Sequence, residues 1–136
     1  MLQQIKKEFF AYRNGIVADA LRKAGMPYKM IFGLQIPQIA TIARQQEPSK
    51  ALADSLWNDS DVRESRLLAT YLFPPDEISE EKAMTLISEV RTPEESDMLS
   101  FRLLKLLPFA ANLLSRIESD PSLPAYIAPS LRNHLS

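Results

Sequence analysis

Helix starts recur at short intervals along this chain, near residues 36/37, 49, 61/62, 79 and 93, and each carries local chemistry suited to a helix N-terminus. The clearest is Thr92-Pro93-Glu94-Glu95. There a threonine hydroxyl can take a backbone N–H that has no intrahelical partner, proline at the first helical position has no N–H to orphan, and glutamate at the third can reach back to the cap. Ser79 followed by Glu80 and Glu81 is a second such start, with both carboxylates over the positive end of the helix dipole. Pro48-Ser49 opens another, Pro37 marks a first turn, and Asp61 with Glu64 has the spacing of a capping box. Stops are equally frequent: Asn14-Gly15 ends the first segment, Gly25 stands where a left-handed cap belongs with Pro27 behind it, and Pro74-Pro75 closes the fifth. Sustained period-2 alternation, the mark of half-buried strands, is absent, so the chain reads as all-α.

Between these marks the apolar residues fall at helical spacing. Leu2, Ile5, Phe9 and Tyr12 share one face, and so do Ile39, Ile42 and Ala43, then Leu52, Leu56 and Trp57. Val62, Leu68, Ala69 and Leu72 form the apolar side of a fifth helix, and Ala83, Met84, Ile87 and Val90 that of a sixth. A seventh is expected to run from Pro93 to Leu107 and an eighth from Phe109 to Ile117. Pro121, Pro124 and Pro129 then predict a short helix or turn followed by fraying. This gives seven or eight helices in a domain over 1–118 and a proline-rich tail over 119–136 with at most a short helix. Connections this short imply antiparallel neighbours, and the intervals suggest stacked helix pairs of the α-solenoid kind. No residue motif repeats, so a compact helical bundle is the alternative architecture.

Composition narrows the function classes. The chain has 136 residues, 46% of them hydrophobic and 24% charged, as in a folded domain. Its longest apolar run, Leu106 to Ala111, is far below the roughly 20 residues of a membrane-spanning helix, and the N-terminus lacks a signal-peptide pattern. With no cysteine, a reducing cytoplasm is the expected location and no membrane partner is expected. His134 is the only histidine and the three glycines are isolated, so neither a metal site, a phosphate-binding loop nor any other cofactor is expected. Charge is more informative. Residues 1 to 53 hold eight lysines and arginines against three acids, a surplus of five, whereas residues 54 to 120 hold seven against fourteen. Such asymmetry can mark a nucleic-acid face, and Lys6, Lys7, Arg13, Arg22, Lys23, Lys29 and Arg44 are the candidate phosphate contacts; a solvated helical surface is the plainer alternative.

Two segments carry a resemblance. Phe32-Gly33-Leu34-Gln35-Ile36-Pro37, continuing through Ile39, Ile42, Ala43 and Arg44, resembles the Phe-Gly-Val-x-x-Pro-x-Leu-Arg-x-Ile-Ala-Lys segment of the DNA alkylation repair (AlkD-like) family. Leu56-Trp57, followed by Glu64-Ser65-Arg66-Leu67-Leu68-Ala69, is similar to that family's Leu-Trp and Glu-x-Arg-x-Leu-Ala helix pair. The resemblance covers about residues 25 to 73 and weakens towards 118. It implies a right-handed α-α superhelix of antiparallel HEAT-like helix pairs whose basic concave face holds duplex DNA.

Enzymes of that family release cationic N-alkylated purines, with a carboxylate stabilising the oxocarbenium-like transition state and aromatic side chains against the sugar and lesion. Their motif, Trp-Asp-x-x-Asp at a helix start, corresponds here to Ser96-Asp97-Met98-Leu99-Ser100. Ser100 stands where the catalytic aspartate belongs and Ser96 where the tryptophan belongs, and a hydroxyl cannot supply the negative charge. A three-residue shift of register would instead make Asp97 the catalytic acid; otherwise Asp97 is a first-turn charge serving the dipole. The resemblance therefore implies a catalytically degenerate member that binds duplex or damaged DNA. A helical-repeat scaffold for a protein partner and an active, divergent glycosylase are the alternatives. Glu64 and Arg66 are expected to make buried hydrogen bonds between repeats, and Trp57 to fill a core seam between helix pairs.

Overall fold

The computed structural model describes residues 2–135 and is all-α. Among those residues are nine α-helices, two 3-10 turns and a single isolated parallel bridge, between Met30 and Val62. The chain divides into two compact units, the first ending at Phe73 and the second beginning at Pro74. No helix among the described residues is long and apolar enough to cross a membrane.

The first unit contains α1 (Leu2–Ala11), α2 (Gly15–Lys23), α3 (Ile36–Arg44), α4 (Lys50–Asn58) and α5 (Arg63–Leu72). Helix α5 is its centre: α3 and α4 pack on it, and all but one of its ten residues, Tyr71, are buried. Core packing is dense around Leu34, Ile39, Ile42, Leu56, Trp57, Leu67 and Leu68, while Ala18, Tyr28 and Ile31 form a smaller cluster with Leu21 and Met26 against it. The expected face of α1 is present, with Ile5 and Phe9 buried. Trp57 fills the expected seam, edge-on to Phe73 at 6.4 Å with the Arg66 guanidinium 4.1 Å from its ring.

The second unit contains α6 (Glu80–Ser88), α7 (Pro93–Arg102), α8 (Ala110–Glu118) and α9 (Ile127–Leu135), with α7 and α8 packed on α9. Where a short helix and then fraying were expected, α9 continues to Leu135, anchored by buried Ile127 and Leu131. Arg116 of α8 donates to Glu80 at 2.7 Å and Glu81 at 3.0 Å, and Asn112 donates to Glu80 at 2.9 Å. The hydrogen bond from Arg116, then that from Asn112, holds the Glu80 carboxyl below its ordinary range.

Ser49, Ser79 and Thr92 cap α4, α6 and α7 as their sequence context predicts. Three expectations are corrected. Asn14 does not end α1 but caps α2, its side-chain oxygen accepting from the N–H groups of Ile16 and Val17. Asp61 does not cap α5; Val62 occupies the cap and has no polar side-chain atom with which to bond, while Glu64 is engaged elsewhere. Helix α7 ends at Arg102 rather than Leu107, and a 3-10 turn over Leu104–Leu106 follows. The cause is Pro108: it has no N–H to give the Leu104 carbonyl and it drives Leu107 into an extended conformation, so the Leu107 N–H closes a tighter bond to Leu104 at 3.2 Å.

Candidate functional site

The two segments that carry the family resemblance meet through one side chain. Glu64, fully buried, accepts the N–H groups of Phe32 on Oε1 at 3.0 Å and of Gly33 and Leu34 on Oε2 at 3.0 and 3.3 Å. Arg63 completes the clasp, donating to Glu64 and to the Leu34 carbonyl, each at 2.8 Å. Gly33 is required at this point: its φ is +87°, and a Cβ there would lie 2.2 Å from the Asn14 carbonyl oxygen and 2.9 Å from the Ala18 nitrogen. The Asn14 N–H donates to the Phe32 carbonyl at 2.8 Å, so the clasped loop also fixes the start of α2. The role of Glu64 is structural, as expected.

That loop is one wall of a concavity of about 660 Å³ lined by Phe10 and Arg13 at the end of α1, Ala18 and Arg22 of α2, and Met30, Ile31 and Phe32. The Phe32 ring leans on buried Phe9, with centroids 5.7 Å apart. The Arg13 guanidinium lies 3.8 Å over the Phe10 ring, and its Nη1 donates to the Phe10 carbonyl at 2.8 Å. Arg22 reaches the Ile31 carbonyl at 3.5 Å and Asp19 at 3.4 Å. Among the described residues no acidic side chain lines the concavity.

Of the seven cations singled out in the sequence, the structure thus brings Arg13 and Arg22 together. Lys6 is committed to Asp59 at 3.0 Å, an acid that also accepts from the Ser65 hydroxyl at 2.7 Å. Lys29 makes a long, exposed contact of 3.9 Å with Asp61. Arg44 donates to the Thr41 hydroxyl at 3.1 Å, and Lys7 and Lys23 extend into solvent with no carboxylate partner among the described residues.

The 96–100 segment, matched in the sequence to the motif of the resembling family, lies on α7. Ser96 and Ser100 lie on the buried side of α7, each at most 2% exposed, with hydroxyls that meet no hydrogen-bond partner among the described residues. Asp97 points outward and meets His134 of α9 at 2.9 Å. Beside it the Phe101 ring stands 5.1 Å from the His134 ring and 3.9 Å from the Lys105 ammonium. Among the described residues no three potential ligands are grouped to hold a metal ion.

Sequence reasoning passed over Phe10, Ile16 and Met30, which are 55%, 84% and 48% exposed. The adjacent pair Phe9-Phe10 carried a signal, since neighbours on a helix are about 100° apart and both cannot face one core. Met30 carried none, because its exposure follows from the bridge to Val62. Comparison with protein families, with curated proteins and with solved structures finds no match for this chain.

Proposed function

We propose that this chain is a DNA-binding helical protein of the DNA alkylation repair lineage that lacks the glycosylase carboxylate. The observation that carries the proposal is the opening of Arg13 and Arg22 onto one apolar concavity that no acid among the described residues lines. Lys7, Lys23 and Arg44 add cations that no carboxylate neutralises among the described residues, which suits phosphate contact. Loss of catalysis accords with the buried, uncharged Ser100 and with Asp97 facing away from that side of α7, already paired to His134.

The test is fluorescence anisotropy of a labelled DNA duplex at about 50 and 200 mM salt. Engagement of four phosphates lowers affinity about a hundredfold across that range. Arg13→Ala and Arg22→Ala each weaken binding at the lower salt. No binding at low salt refutes the proposal. No alkylated base is released from an N-methylated duplex; release that disappears in Asp97→Asn would restore the divergent glycosylase. A protein-scaffold reading draws on Ile16, whose exposed aliphatic side chain suits apolar contact better than phosphate, and it gains if DNA binding is absent while a partner copurifies in stoichiometric amount.

A further inference from the structure

We propose that the concavity between α1, α2 and the 30–32 segment receives a single unpaired nucleotide, its base stacked on the Arg13–Phe10 pair and its phosphate on Arg22. This rests on the DNA reading above and adds what the site recognises.

Size is the first ground. A concavity of about 660 Å³ lies within the roughly 300–1,000 Å³ of small-ligand sites, which matches one nucleotide, whereas a duplex is too broad to enter. Lining chemistry is the second. Phe10, Met30, Ile31 and Phe32 supply apolar and aromatic surface, and the polar side chains that line it, Arg13 and Arg22, are cationic. That combination fits a flat, apolar ring joined to an anion. Preorganisation is the third. Arg13 is held 3.8 Å over the Phe10 ring by its bond to the Phe10 carbonyl, so a guanidinium beside an aromatic ring is in place before a base arrives. Bases stack on arginine planes as they do on aromatic rings.

Arg22 supplies the anion site. Its contact with Asp19 is long, at 3.4 Å, and both side chains are about half exposed or more, so it competes weakly with a bidentate phosphate. An unpaired nucleotide is also the form in which a base can leave the stack cheaply, since no Watson–Crick pair has to be broken.

Three labelled duplexes test the proposal by anisotropy: fully paired, bearing one bulged thymidine, and bearing a bulged tetrahydrofuran abasic unit that keeps the phosphate but has no base. The bulged thymidine duplex binds about tenfold tighter than the paired one, the loss typical of one stacked base. The abasic bulge falls back towards the paired value. Phe10→Ala, Phe10→Leu and Arg13→Ala each erase the preference, whereas Lys7→Ala, outside the concavity, weakens all three duplexes and leaves the ratio near tenfold. Circular dichroism melting confirms that each variant folds; the leucine variant keeps apolar bulk while removing the ring. Equal affinity for paired and bulged duplexes overturns the inference and leaves the DNA reading standing. A preference that survives at the abasic bulge, or in both Phe10 variants, overturns it too. No binding to any of the three refutes both.

Discussion

Replacing Glu64 by glutamine changes one oxygen into an amide nitrogen at a site where every neighbour donates. The amide oxygen can retain the place of Oε2, where Gly33, Leu34 and Arg63 converge, and this leaves the new NH₂ facing the Phe32 N–H that Oε1 accepted at 3.0 Å. A buried donor orphaned in this way costs about 1–3 kcal/mol. Removing the charge from a buried ion pair costs about 3–5 kcal/mol when the partner is left without compensation, and the retained carbonyl recovers part of that. We expect a net loss of about 3–4 kcal/mol for Glu64→Gln, and more for Glu64→Ala, which removes the acceptor altogether. A chain of this length has a total stability on the order of 7–20 kcal/mol, so the change is large but survivable. In urea, with a slope of about 2–3 kcal/mol/M, it lowers the unfolding midpoint by about 1–2 M. Hydrogen exchange at Phe32, Gly33 and Leu34 should accelerate beyond the global effect, because the clasp is the local restraint. A midpoint shift below about 0.3 M with unchanged slope, or unaltered protection of those three amides, would refute the idea that the clasp stabilises the loop.

Gly33→Ala combines a positive φ with a Cβ pressed onto backbone atoms of Asn14 and Ala18; a loss of about 2–5 kcal/mol is expected by urea unfolding, against about 1–2 kcal/mol for Gly25→Ala, whose φ is +96° with open space around it. Leu131→Ala leaves a cavity under α9 and should cost about 2–5 kcal/mol; a cost below 1 kcal/mol would mean that the helix is dispensable to the second unit. Arg116→Gln should weaken the protein at neutral pH more than at acid pH. The folded form holds the Glu80 proton less tightly than the unfolded chain does, so this contribution is complete above the ordinary carboxylate range and vanishes as pH falls through the lowered folded value. Urea midpoints of wild type and variant between about pH 7 and 3 should therefore converge on acidification.

Much of the secondary structure is local chemistry, and for that reason the sequence alone determines it. Ser49, Ser79 and Thr92 cap their helices by accepting the N–H groups three residues ahead, and Gly25 takes the left-handed conformation expected of it. All-α architecture and most of the core faces follow from the same short-range spacing. Two of the misread positions are ones where a distant partner outbid the local one. Glu64 has capping-box spacing from Asp61, yet three unpaired N–H groups some 30 residues earlier offer its carboxylate more bonds than a cap does. Lys6 looks like a free cation until folding brings Asp59 to 3.0 Å across 53 residues. Which cations remain unneutralised depends on the acids that folding brings to them, and burial of Ser96 and Ser100 depends on which side of α7 faces the core of its own unit. Charge and hydrophobicity along the chain constrain neither, because both are set by pairs of residues that only tertiary packing brings together.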